Sequence, residues 1–144
     1  MISCGGSDPK ECTLLFLNLL SETKFKNFHI NLVIGPEFSF NLKNKINKYK
    51  SKFGSKITLI TNVADLSHLI IASHLGLTTG GLTRNEFLYC GLPTVVLNID
   101  YSQHKISKLI QDKKALINFG TMQDFSLNYE SAKQSLEKIG RAHV

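Results

Sequence analysis

Short apolar runs alternate along the chain with longer stretches in which leucine or isoleucine recurs every three or four residues, and this alternation predicts strands separated by helices. A first strand over 1–4 runs into the turn Gly5-Gly6-Ser7-Asp8-Pro9, and a leucine-rich helix over 10–21 follows with Leu14, Leu15, Leu17 and Leu19. A second strand spans 29–34 and stops at Gly35-Pro36; the next helix covers 40–52. Gly54 breaks that helix from a third strand over 57–60, where β-branched residues alternate. Residues 62–73 predict a helix with an acidic first turn at Asp65 and a broad apolar face of Leu66, Leu69, Ile70 and Ile71. A short strand over 74–79 precedes a helix over 83–90, closed by Gly91 and Pro93. The continuous apolar run 94–99 suits a strand covered on both faces. A loop over 100–103, a helix over 103–113, a last short strand over 115–119 and a stretch over 123–138 that ends in helix complete the pattern.

Strands and helices at this spacing argue for an α/β domain, a doubly wound parallel sheet with helices on both faces. Ligands of such sheets bind beyond the C-terminal strand ends. Gly5-Gly6-Ser7, Gly35-Pro36, Thr61-Asn62-Val63, Thr79-Gly80-Gly81 and Asp100-Tyr101-Ser102-Gln103 are therefore expected along one edge. Gly35-Pro36 ranks last among them, as a turn.

Composition narrows the class. The 144 residues suffice for one domain with a core, and a hydrophobic fraction of 42% fits a soluble globular chain. No apolar run reaches the roughly 18 residues of a membrane span, and no basic region followed by an apolar segment opens the chain. Three cysteines, Cys4, Cys12 and Cys90, lack metal-ligand spacing and are expected as reduced thiols of a cytoplasmic protein. The net charge of +6 gathers around the lysines of residues 43–56. Leu42, Ile46 and Tyr49 at helical spacing make that stretch one solvated helix face, and with neither an Arg-rich stripe nor aromatic stacking residues beside it no nucleic-acid partner is expected.

The richest chemistry lies in Thr78 to Pro93, TTGGLTRNEFLYCGLP. Gly80 and Gly81 sit where a strand turns into a helix. Missing side chains let an anion reach the main chain, and the first-turn N–H groups and helix dipole favour phosphate there. Thr83 is expected to cap the helix or donate to the same oxygens. Glu86, expected to be buried, stands three residues later and has two readings: the reciprocal partner in a capping box with Thr83, or a ligand for hydroxyl groups. Gly5-Gly6-Ser7 lacks the G-x-G-x-x-G spacing of dinucleotide sites. No Asp-x-Asp pair offers a Mg²⁺ site, so neither metal nor cofactor is expected.

ISCGGSDP, LVIGPEF, ITNVADLSHLIIASHLGLTTGGLTRNEFLYCGLPTVVL and then Gln103, in that order, resemble the C-terminal domain of the GT-B-fold UDP-sugar hydrolases of pseudaminic acid biosynthesis, which cleave UDP-2,4-diacetamido-2,4,6-trideoxy-β-L-altropyranose. The pattern extends to spore-coat polysaccharide proteins and, more distantly, to the family 28 N-acetylglucosaminyltransferases that make lipid II. The resemblance runs from Ile2 to about Phe119. It implies that Gly5, Gly6 and Ser7 face the diphosphate, that Asn62 and Val63 lie beside uracil, and that Gly80, Gly81, Leu82 and Thr83 form a second phosphate loop. It also implies that Glu86 binds the ribose hydroxyls and that Ser102 and Gln103 lie on the sugar side, Ser102 standing where the family usually has Asn. The catalytic histidine of that family belongs to an N-terminal domain, and none of His29, His68, His74 or His104 matches it by motif.

Three functions stay open on this reading. One is the UDP-sugar-binding part of a hydrolase that needs its N-terminal domain as partner for water attack, inactive alone. Another is the equivalent part of a lipid II-type transferase. The third is a non-catalytic nucleotide-sugar-binding module. The domain is expected to span 1–138, because Ile139-Gly140-Arg141-Ala142-His143-Val144 reads as the translation of a common sequencing adapter.

Overall fold

Two patterns set the architecture: strands near the middle of the sheet whose residues are buried without alternation, and helices with one apolar stripe. The computed structural model describes residues 1–53 and 56–142; the expected break at Gly54 and the end of the tail, His143 and Val144, lie outside the described residues. Among the described residues six strands, β1 (Ile2–Ser3), β2 (Ile30–Val33), β3 (Ile57–Ile60), β4 (Gly76–Thr79), β5 (Thr94–Asn98) and β6 (Ile117–Thr121), form one sheet. Their order is β3-β2-β1-β4-β5-β6, and every pairing is parallel. This is the expected doubly wound α/β fold, with a topological switch point between β1 and β4. Both central strands β4 and β5 are buried at every position, as a sheet covered on two faces requires.

Among the described residues seven helices accompany the strands: α1 (Cys12–Ser21), α2 (Phe40–Phe53), α3 (Ser67–Ile71), α4 (Leu82–Tyr89), α5 (Tyr101–Asp112), α6 (Met122–Leu127) and α7 (Tyr129–Ala142), with a short 3-10 turn at Lys24–Asn27. The main core joins Phe16, Leu17 and Leu19 of α1 and Leu42 and Ile46 of α2 to Ile2, Leu32, Leu77, Val95 and Leu97, and Leu136 of α7 completes it. A smaller core on the opposite face gathers Met1, Val33, Ile70, Phe87 and Leu92. Successive residues Leu32 and Val33 enter different cores because side chains alternate across a strand. Each fully buried leucine contributes roughly 1.5–3 kcal/mol.

Helix ends account for most departures from expectation. The carboxylate of Asp8, itself buried, accepts from the N–H groups of Cys12 (2.8 Å) and Thr13 (2.9 Å), so α1 starts two residues later than expected. The helix expected over 62–73 is confined to α3, because Asn62 takes a left-handed conformation (φ 56°) and Asp65 turns the chain by accepting from the N–H and hydroxyl of Ser67. The loop expected over 100–103 is instead the first turn of α5: Asp100 caps it, accepting from Gln103 N–H at 2.9 Å. The last strand sits two residues further on than expected, with a register shift between Val96 and Asn98 and Gly120 at φ 82°. The stretch 123–138, expected to end in helix, does so and carries a second helix before it, the first capped by Thr121 and the last beginning after Asn128. The end of α4 follows the sequence closely. Gly91 at φ 72° donates to Leu88 O and Leu92 N–H donates to Phe87 O, the Schellman arrangement, while Leu92 and Phe87 share the smaller core.

Candidate nucleotide-binding edge

Ser3 pairs with Thr78, so two residues on, Gly5 and Gly80 leave neighbouring strands at the same level. The two glycine turns picked out in the sequence therefore meet at the switch point. Gly5, Gly6 and Ser7 are exposed, and Gly5 adopts φ 79°, which favours glycine. Gly81 is the extended N-cap of α4 and makes no side-chain cap bond. That helix start faces the switch point with its dipole and first-turn N–H groups available for an anion.

Gly35 does more than turn the chain. A Cβ built on it would stand 2.2 Å from Gly6 O and 2.5 Å from Gly5 O, and Glu37 N–H donates to Gly6 O at 2.9 Å. The β2 turn thus buttresses the Gly5-Gly6 loop from behind. Its signal in the sequence was only a glycine after an apolar run.

Thr83 and Glu86 differ from expectation. Thr83 is the second residue of α4 rather than its cap, so no capping box with Glu86 forms. Glu86 is exposed instead of buried, and its carboxylate has no hydrogen bond or ion pair to a described residue. Leu82, at the helix start, is 81% exposed. A carboxylate left free one turn into the helix keeps its full capacity to accept from a ligand's hydroxyls.

Asn62 and Val63 follow β3, three strand spacings from β4, about 14 Å across the sheet. Asn62 is exposed and Val63 half-buried. Leu66, Leu69 and Ile70 beyond them pack with Phe87 of α4, which carries this segment back toward the switch point. A ligand touching both groups has to be extended.

On the other side, Gln103 lies directly against Gly80, where a Cβ would stand 2.8 Å from Gln103 Cβ. The amide oxygen of Gln103 accepts from Ile99 N–H at 3.0 Å, which braces the β5 turn and orients the side chain. Ser102 is exposed in the first turn of α5.

Behind the turn lies a polar group of residues that sequence reasoning missed. Asn98, fully buried at the end of β5, has its amide oxygen 2.6 Å from the Cβ position of Gly80. Ser107 donates to that oxygen at 2.7 Å and accepts from the Arg84 guanidinium at 3.2 Å. Arg84 is 4% exposed, its Nε donates to Asn85, and burial lowers its pKa. A polar residue closing the run TVVLN was the available signal.

Among the described residues no group of three or more His, Cys, Asp and Glu side chains is placed to hold a metal ion, and no helix is long and apolar enough to cross a membrane. Neither a protein-family model nor a solved structure matches the chain. An uncharacterized protein of Methanocaldococcus jannaschii is similar to it, with 35% identity over 99 residues, 67% of this chain. The chain spans about a fifth of that relative's length, 20%.

Proposed function

We propose that this chain grips the UDP part of a nucleotide sugar across the β1–β4 switch point, as the binding unit of a UDP-2,4-diacetamido-2,4,6-trideoxy-β-L-altropyranose hydrolase-like protein. The meeting of two glycine turns, open at Gly5, Gly6 and Gly81, and a helix N-terminus on neighbouring strands carries this reading. Main-chain donors of Gly5, Gly6 and Ser7 and of Gly80 to Thr83 hold the diphosphate, and the free carboxylate of Glu86 takes the ribose hydroxyls. Asn62 and Val63 flank uracil; Ser102 and Gln103 lie toward the sugar.

In the whole enzyme a base from a partner domain activates water, water attacks the sugar, and UDP leaves. The part played by this chain is to stabilise the departing diphosphate with donors already in place, a form of electrostatic preorganisation. The free thiols Cys4, Cys12 and Cys90 fit a cytoplasmic setting for such a reaction.

Calorimetric titration with UDP tests the proposal. Micromolar to millimolar affinity is expected, falling about tenfold or more in Glu86→Ala, since a hydrogen bond to a charged group is worth about 1.5–3 kcal/mol. A sample shown to be folded by circular dichroism that binds no UDP would overturn it.

A further inference from the structure

Arg84 can only donate hydrogen bonds, and that fact orients a chain of side chains leading away from the glycine turn. Its guanidinium donates to Ser107 Oγ, and the Ser107 hydroxyl in turn donates to Asn98 Oδ1. The amide group of Asn98 must then point its nitrogen outward, and it donates to Asn118 Oδ1 at 2.8 Å and to Gly120 O at 2.7 Å. The carbonyl of Gly120 accepts only, which fixes the orientation of the Asn98 amide. Asn118 Oδ1 also accepts from Gly120 N–H at 2.9 Å, a donor whose role is not in question. The nitrogen of Asn118 therefore faces His104 and donates to Nδ1 at 3.2 Å. Nδ1 is the acceptor, so the ring proton sits on Nε2.

His104 lines a cleft of about 520 Å³ between α5, β6 and the α6–α7 pair, well away from the Gly5 loop in the strand order. That volume lies in the usual range of small-molecule sites, roughly 300–1,000 Å³. Lys108 lines the same cleft and stands one helical turn after His104, on the same face of α5. Ser131 and Ser135, also four residues apart, line it from α7. Asp124 stands on the same wall; one of its oxygens accepts from the Thr121 hydroxyl at 2.9 Å, leaving capacity for another donor.

We propose that this cleft is a second ligand site, separate from the nucleotide edge, for a small hydroxylated carboxylate of the sugar-acid class, with His104 Nε2–H as its fixed donor and Lys108 as its cation. One ammonium and one oriented donor match one carboxylate. The two serine hydroxyls and the free acceptor capacity of Asp124 match sugar hydroxyls. Asp124 also disfavours a doubly charged phosphate, because its carboxylate repels a dianion more than a monoanion.

The test uses the full chain, galacturonate as probe and galactose as neutral control, followed by amide and imidazole NMR. Three results are expected together. Long-range ¹⁵N–¹H correlation shows the His104 proton on Nε2. Galacturonate shifts the signals of His104, Lys108, Ser131 and Ser135 at millimolar concentration or below, without shifting Gly5, Gly6 or Gly81, and galactose does so at least tenfold more weakly. Lys108→Met, an exposed change outside the hydrogen-bond chain, removes that preference. A proton on Nδ1, equal response to the two sugars, no response at the highest concentration reached, or an unchanged preference in Lys108→Met would each overturn the proposal. UDP binding is read independently at the glycine signals, so failure of one site leaves the other's test intact.

Discussion

Gly80 and Asn98 are in contact across the ends of β4 and β5: a Cβ on the glycine would stand 2.6 Å from the amide oxygen of a fully buried asparagine. Gly80→Ala is therefore expected to destabilise the protein by about 1–3 kcal/mol, the usual result of overpacking a filled site. Gly81 has nothing within 4 Å of its Cβ position, and Gly81→Ala is expected to change stability by well under about 1 kcal/mol. If an anion approaches this turn, the same mutant loses UDP affinity. Urea denaturation and calorimetry on the pair separate a glycine needed by the fold from one needed by a ligand; equal stability loss in both would contradict the prediction.

Asn98 and Arg84 belong to one hydrogen-bond chain but are expected to respond in opposite ways. Asn98→Ala leaves the Ser107 hydroxyl proton and Gly120 O without their partner, at about 1 kcal/mol or more each, and takes one of two donors from Asn118 Oδ1. Arg84 is a buried cation whose side-chain partners are the uncharged Ser107 and Asn85. Replacing such a charge by an apolar chain of similar length relieves its desolvation. Arg84→Met is expected to be neutral or stabilising by about 1 kcal/mol, and thermal denaturation of the two mutants would show the contrast.

Thiol reactivity should be confined to one site. Cys90 is exposed, whereas Cys4 and Cys12 are buried. Burial, reinforced by Asp8, pushes the Cys12 thiol up to about 12 and raises Cys4 well above its ordinary value. The thiolate is the nucleophile, so at neutral pH iodoacetamide is expected to label Cys90 alone in the folded protein and all three cysteines in denaturant. Mass spectrometry showing Cys4 or Cys12 labelled as fast as Cys90 would contradict it.

Tyr129 ties α7 to α1. Its hydroxyl donates to Glu22 at 3.0 Å and accepts from Asn18 at 3.0 Å. Burial and the bond to Glu22 raise its pKa from 10.0 to about 12. The folded state thus favours the protonated phenol, and the stability this gives is complete below pH 10 and is lost as pH rises toward about 12. Tyr129→Phe is expected to be less stable near neutrality and to lose less between those limits, as measured by urea midpoints across the range.

Local signals account for what the sequence revealed. The apolar run TVVLN announced a strand buried on both faces, and Gly91 before Leu92 and Pro93 announced the Schellman end of α4. Both glycine turns were visible because a positive φ at Gly5 and a close approach of side chains at Gly80 leave few substitutes. Features that depended on distant partners were hidden. Nothing near Asn98 in the chain points to Asn118, twenty residues on, or to Arg84 through Ser107. The spacing of Thr83 and Glu86 fitted a capping box, yet the helix begins at Leu82 with Gly81 as its cap, which moves Thr83 inside and leaves Glu86 in solvent. Gly35 looked like punctuation until the Gly5-Gly6 carbonyls were found against it.

The place of β1 has a consequence for the order of assembly. Ile2 pairs with Leu32 on one side and Leu77 on the other, so two of the first residues of the chain find their second neighbour only across 75 positions. Closing a loop of that length has to precede the contacts that reward it, which places this step among the slow, high-contact-order events of folding. Pulse-labelled hydrogen exchange during refolding is expected to protect the Leu77 amide, which donates to Met1 O, later than the Ile34 amide, which donates to Ile60 O across the nearer β2–β3 pair. The Gly5 loop and the Gly80 turn are then completed in a single late event.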